Sequence, residues 1–195
     1  MFDSHTDSLP APLNRLPSSA IRLRTIDTQK NLFSQGDATR GLFFILAGSI
    51  ELQRVTEAGH LVLVQKVNVG DTFAEASLFH SHYHCSAVAT NSSEVIECSK
   101  QAVISHYRDD PDFALAMCQR FAHQVQQARS KLEIFSIRSA DDRVFRALTE
   151  GMCKGSVKSM AHEIGLSPEV VYRSLNSLTK SGRVMKLGYG RYKAQ

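Results

Sequence analysis

The chain has 195 residues, 43% of them hydrophobic and 22% charged, with a net charge of +4. That is enough for one large domain or two small ones with a real core. No run of about 18 apolar residues occurs, so no membrane-spanning helix is expected. The charge is uneven, since from Arg138 onward 11 Lys and Arg face 5 Asp and Glu. A basic tail on a slightly acidic body is the footprint of a nucleic-acid binder.

Residues 1–19 show no basic start followed by an apolar stretch. They read as a flexible segment rather than a secretion signal, and a cytoplasmic protein is expected. Cys85, Cys98, Cys118 and Cys153 show no CxxC spacing, so a zinc ribbon is not expected and packing roles are. Residues 20–108 read as β structure. "AIRLRTI", "KNLFSQGD", "GLFFILAGSIELQRV", "HLVLVQKVNVGD" and "SAVATNSSEVIECS" are separated by turn signals such as Gly36-Asp37, Gly48-Ser49 and Gly70-Asp71. Ile50 and Leu52, then Leu61 and Leu63, alternate with polar neighbours, the signature of half-buried strands. Cys98 is expected at the end of a buried strand.

At residue 111 the period changes. "PDFALAMCQRFAHQVQQARSKLEIFSI" reads as a helix opening at Pro111, with Asp109 and Asp110 as caps. With Pro111 at a heptad a position, Cys118, Val125 and Leu132 follow at a. Ala114, Phe121, Ala128 and Phe135 fall at d. A helix about 40 Å long cannot be covered by one small domain, so the seam wants a partner helix, most simply a second copy. Residues 109–137 therefore read as a dimerisation helix and 138–195 as a separate domain. Ser136–Ser139 is the hinge, and Ser139 caps the next helix with Asp142 at N3.

In "VKSMAHEIGLSPEVVYRSLNSLTKSG", Met160, Ala161 and Ile164 form an inner face, Gly165 turns, and Leu166 plugs the corner. Ser167 caps a second helix with Pro168 at N1. Val171, Leu175 and Leu178 make its buried stripe, and Glu169, Tyr172, Arg173 and Asn176 the opposite face. Arg173 can donate two hydrogen bonds to guanine and Glu169 can accept from cytosine, with Tyr172 on the same base-reading face. Lys158, Ser159, Ser167, Asn176, Lys180 and Arg183 are placed to hold the DNA backbone. "RVMKLGYGRYK" reads as a hairpin turning at Gly188-Tyr189-Gly190, a small wing.

From about Arg22 to Tyr192 these motifs resemble the Crp/Fnr-type transcription regulators. "NLFSQGD", "LFFILAGSIEL" and "GDTFAEASLF" resemble the cyclic-nucleotide-binding β-roll, and "GLSPEVVYRSL" resembles the recognition helix, where Glu169 and Arg173 match the family's Glu and Arg. The resemblance implies an α+β architecture of β-roll (a jelly roll), long dimerisation helix and winged helix-turn-helix. It also implies a homodimer on a palindromic, TGA-like DNA site that contacts RNA polymerase. Pro168 stands where the cyclic-AMP receptor carries a further Arg, Ser174 where an aliphatic is usual, and Tyr172 where the oxygen-sensing branch has a small hydroxyl residue.

The family's pocket takes a Glu from a Gly-Glu-Leu turn and a phosphate-pairing Arg from Arg-Ser-Ala. Here these read Ala74-Glu75-Ala76 and Cys85-Ser86-Ala87. Glu75, Cys85 and Ser86 are the candidate effector-pocket residues. Without the Arg, a cyclic phosphate has no cationic fork, so cyclic AMP and cyclic GMP are not expected ligands. The stretch "HSHYHC" lies at this rim, and His80, His82 and His84 share one side if it is extended. Metal or haem sensing by these histidines and Cys85, a thiol switch at Cys85, and an unidentified small-ligand pocket stay open. No cysteine cluster precedes the β-roll, so an iron–sulfur cluster is not expected. A cupin-like enzyme would want a Glu four or five residues after His82, where Ser86 and Ala87 stand, so no enzyme is expected. A β-roll regulatory module without DNA binding is the remaining alternative to a DNA-binding regulator.

Overall fold

The computed structural model describes residues 6–151, 156–188 and 190–195. It forms two compact units, Met1–Gln119 and Arg120–Gln195. They divide inside the long helix rather than setting that helix apart as a segment of its own.

The first unit is a roll of two four-stranded antiparallel sheets. Strands β1 (Ile21–Ile26), β2 (Asn31–Phe33), β3 (Gly41–Ala47), β4 (Ser49–Val55), β5 (Leu61–Asn68), β6 (Thr72–Phe73), β7 (Ser86–Ala89) and β8 (Ser93–Ser99) follow in chain order. The sheets run β1-β8-β3-β6 and β2-β7-β4-β5. The unbroken apolar run of β3 is explained by its interior place: Leu42, Phe43, Phe44 and Ile45 are all buried, so both faces of the strand are covered. β4 alternates instead, with Ile50 and Leu52 inward. Register carries the alternation across, because Ile50 pairs with Ala89 and Leu52 with Ala87, both fully buried. Between the sheets four rings pack together. Phe33 stacks on Tyr83 at 3.8 Å and on Phe43 at 5.4 Å, and Phe43 stacks on Phe73 at 5.2 Å.

Two expectations are corrected here. Leu61 and Leu63 are not half-buried but 65% and 38% exposed, because β5 is an edge strand that meets the core only near its end, at Val67. The stretch expected to be flexible, residues 1–19, is packed where it is described: Leu9, Leu13 and Leu16 are buried, and Arg15 pairs with Asp110 at 3.2 Å. Cys98 sits fully buried on β8 as expected, and burial pushes its thiol up to about 12.

Helix α1 (Lys100–Asp109) leads into α2 (Pro111–Ser136). Asp110 caps α2 by accepting from the Phe113 amide at 2.9 Å. The side chains of α2 buried by its own chain are Phe113, Met117 and Ile134, none of which lies on the expected seam. Cys118, Val125, Ala128, Leu132 and Phe135 are exposed, and Phe121 is half-buried.

The second unit contains α3 (Ala140–Thr149), α4 (Val157–Glu163), α5 (Pro168–Lys180) and the hairpin β9 (Val184–Gly188) with β10 (Arg191–Ala194). Ser139, Ser156 and Ser167 cap the three helices, each accepting a backbone N–H with its hydroxyl. Ile134, Val144, Ala147, Met160, Ala161, Ile164, Val171, Leu175 and Leu178 form one core. Cys153 and the turn residue Tyr189 lie outside the described residues. No helix among the described residues is long and apolar enough to cross a membrane.

Gly41 tests the sheet packing, since a Cβ there would collide with the Cys98 carbonyl oxygen of the neighbouring strand. Gly41→Ala is expected to destabilise the protein by about 1–3 kcal/mol, read as a fall in the chemical-denaturation midpoint. An unchanged midpoint would contradict this register.

Candidate functional site

The candidate reading face is built by α5. Its buried stripe of Val171, Leu175 and Leu178 fixes the rotation of the helix, so Glu169, Tyr172, Arg173, Asn176 and Lys180 come out together on the exposed face. The spacing i, i+3, i+4, i+7, i+11 keeps them on one line. The Glu169 amide and the Ser167 hydroxyl hold the Glu169 carboxyl below the usual carboxylate range, so it is an ionised acceptor. Lys158 and Ser159 are exposed on the first turn of α4. Ser167 lies at the N-cap, where its hydroxyl already accepts from the Val170 amide at 3.4 Å. Arg183 departs from expectation. Its guanidinium pairs with Asp142 at 3.0 Å and lies 4.2 Å over the Phe145 ring, so it is committed to the domain's own structure.

Two residues that the sequence reading passed over aim this face. Arg143 donates to the Ile137 carbonyl at 2.6 Å, to that of Phe135 at 3.1 Å and to that of Ile164 at 3.4 Å. It thereby ties the end of α2 and the hinge to the turn that precedes α5. At that turn Gly165 has φ +64° with the Phe135 ring against it; a Cβ would come within 2.7 Å of the ring. Phe135 thus serves its own chain as well as the exposed seam. Asp141, at the start of α3, accepts from the hydroxyls of Ser174 and Ser177 on α5, and these bonds hold its carboxyl below the usual range, helped by Arg173 and Arg183. Ser174 is 1% exposed. The serine at an expected aliphatic position is thus a polar contact, and the signal for it in the sequence was the pair of serines three residues apart.

In the β-roll, Ala74 has φ +67°, the left-handed backbone that a glycine takes most readily. Glu75 behind it is 7% exposed and accepts from the Thr72 hydroxyl. Cys85 packs against the aromatic core, and burial raises its thiol above the ordinary value despite the positive Arg54, which is the opposite of an activated thiolate. The Ser86 hydroxyl accepts from the Gln35 amide at 2.9 Å and so fastens the 34–37 turn.

The three histidines are not aligned. Residues 80–85 form a bent loop in which Tyr83 inserts into the core, its hydroxyl bonded to the backbone of Arg40 and Gly41. His80 and His84 meet edge to face at 4.4 Å, whereas His82 bonds Ser81 at 2.8 Å and forms an isolated bridge with Ala38. Among the described residues no group of three or more His, Cys, Asp or Glu could hold a metal ion. The expected site of His80, His82, His84 and Cys85 is therefore not assembled, because the buried Tyr83 bends the segment that would have had to run straight.

Residues 23–110 match the model of the cyclic nucleotide-binding domain. The cyclic AMP receptor protein of Thermus thermophilus is 27% identical over 183 residues, covering 90% of this chain and 84% of that one. The solved catabolite activator protein of Thermus thermophilus superposes with a TM-score of 0.52 at 26% identity, over 91% of this chain and 86% of that one. Over most of its length the chain is similar to transcription regulators of the Crp/Fnr type. The global nitrogen regulator of Synechocystis sp. is 28% identical over 143 residues, 70% of this chain and 63% of that protein. The named relatives are regulators rather than enzymes. Glu75 places a buried carboxylate in the turn after β6, and Cys85 places a neutral thiol just before β7.

The carboxyl of Asp141 is depressed by its serine bonds. Its contribution is therefore present above the ordinary value of 3.8 and lost as pH falls through the folded value. Asp141→Asn is expected to lower Tm at pH 7 only slightly, by about 2 °C or less, because solvent screens this carboxylate. The gap to the parent should close toward pH 3. A gap that is constant across this pH range would show that the ionised carboxylate plays no part.

Proposed function

We propose that the protein is a homodimeric DNA-binding regulator that reads a palindromic, TGA-like operator and contacts RNA polymerase, with binding modulated through its β-roll. The observation that carries the reading is the α5 face. An ionised Glu169, a guanidinium at Arg173 with no competing bond among the described residues, and the ring of Tyr172 are all exposed on a helix capped by Ser167. Arg173 suits guanine and Glu169 suits cytosine. Lys158, Ser159, Asn176 and Lys180 flank them and suit phosphates.

Dimerisation is supported by the uncovered seam of α2. Leu132 is 68% exposed, Val125 48% and Phe135 46%, at heptad spacing with Cys118 and Ala128. Two such helices side by side would set two reading heads on successive half-sites of a two-fold duplex. The β-roll effector is an unidentified small ligand near Glu75. Cyclic AMP and cyclic GMP are disfavoured by Cys85, and calorimetry with either nucleotide should show no sub-micromolar binding; such binding would contradict this assignment. A thiol or metal switch at 80–85 has less support, because the Cys85 thiol is raised and the histidines are dispersed.

Footprinting with the full chain is expected to protect a two-fold site. Arg173→Ala should weaken binding to that site by about 1–3 kcal/mol and relax preference at one base pair. Lys180→Ala should weaken all sequences alike and reduce the salt slope by about one unit. Protection of a single half-site by a monomer, or none at all, would overturn the proposal.

A further inference from the structure

The β-roll carries a cleft that shares no residue with Glu75, Cys85 or Ser86. A cleft of about 280 Å³ lies among β1, β2, β3 and β8 and is lined by Arg24, Asp27, Lys30, Arg40, Phe43 and Glu97, among others. Three cations face two carboxylates there. One carboxylate is already committed: Arg24 Nε donates to Glu97 Oε2 at 2.7 Å, and the Glu97 side chain is only 13% exposed.

The cationic groups have donors to spare. A guanidinium carries five N–H donors, and Arg24 uses Nε alone. Among the described residues, its terminal nitrogens and the side chains of Lys30 and Arg40 have no hydrogen-bond or ion-pair partner. Their backbones, by contrast, are fixed. Lys30 closes the 27–30 turn by donating to the Asp27 carbonyl at 3.1 Å, and its own carbonyl accepts from Ala89 at 3.0 Å. Gln29 in the same turn has φ +63° and donates to Ala89 at 2.8 Å. Arg40 donates its amide to the Tyr83 hydroxyl at 3.1 Å and accepts from the Lys100 amide at 2.7 Å. Fixed backbones with unspent cationic tips around a concave surface lower the ordering cost of binding an anion.

We propose that this cleft binds a small dianionic metabolite, either a phosphate ester or a dicarboxylate, through Arg24, Lys30 and Arg40. Asp27 stands among the cations and would accept from a hydroxyl of the ligand, which favours a hydroxylated dianion over a bare one. The site belongs to the first compact unit alone and does not depend on the DNA-reading assignment.

Calorimetry on the full chain without DNA, at low salt, tests this with glycerol 3-phosphate and with malate as probes, which separate the two ligand classes. Saturable binding of at least one is expected. Lys30→Gln and Arg40→Gln should each weaken it about tenfold, the loss of one charge-assisted hydrogen bond, with Tm unchanged because both side chains are exposed. The double variant Arg173→Ala, Lys180→Ala should bind as the parent does. No saturation with either probe up to about 10 mM, a range in which even millimolar affinity is visible, would overturn the proposal. So would affinity that survives both cleft substitutions, or that is lost in the Arg173 and Lys180 variant, which would place the anion on the basic helix.

Discussion

The guanidinium of Arg143 bonds three carbonyls that belong to three different pieces of the second unit: Phe135 at the end of α2, Ile137 in the hinge and Ile164 before the helix-turn-helix turn. Carbonyls at helix ends have no partner within the helix and carry the negative end of its dipole. One planar cation with five donors satisfies them together, which a lysine could not do with the same geometry. The aim of α5 depends on this clamp. The apolar core sets how α5 is rotated, while the clamp sets where the turn before it sits relative to the end of the long helix. Phe135 against Gly165 adds an apolar contact at the same joint, and Asp141 with its two serines adds a polar one.

The β-roll solves a different problem. Its interior is closed by stacked aromatic rings, with Tyr83 drawn in from the 80–85 loop. That burial satisfies the Tyr83 hydroxyl on the Arg40 and Gly41 backbone and bends the histidine segment around it. The bend of the histidine segment follows from that burial. A side chain of that size, once buried, dictates the path of its neighbours.

Much of this was legible beforehand, and the reasons are local. The caps at Ser139 and Ser167, the Pro168 start and the Gly165 turn are short-range stereochemistry, and each lies where the sequence put it. The strands of the roll were legible because turn glycines and period-two alternation need only neighbours along the chain. Alternation misled at Leu61 and Leu63, since a pattern marks a strand's two faces but not whether anything covers them. The packed leucines at 9, 13 and 16 were missed because proline and serine around them mimic a loose segment.

What the sequence determined by itself is the order and type of the elements, the exposed face of α5, and the absence of a cation at residue 85. These follow from residue identity and spacing, which are properties of the chain before it folds. Only the tertiary structure decided that Arg183 is spent on Asp142, that Arg143 and Asp141 hold the reading helix, that the histidines scatter, and that Arg24, Lys30 and Arg40 gather in one cleft. Each of these is a contact between residues distant in sequence. Such contacts are set by which backbones the core brings together, and no local pattern encodes that.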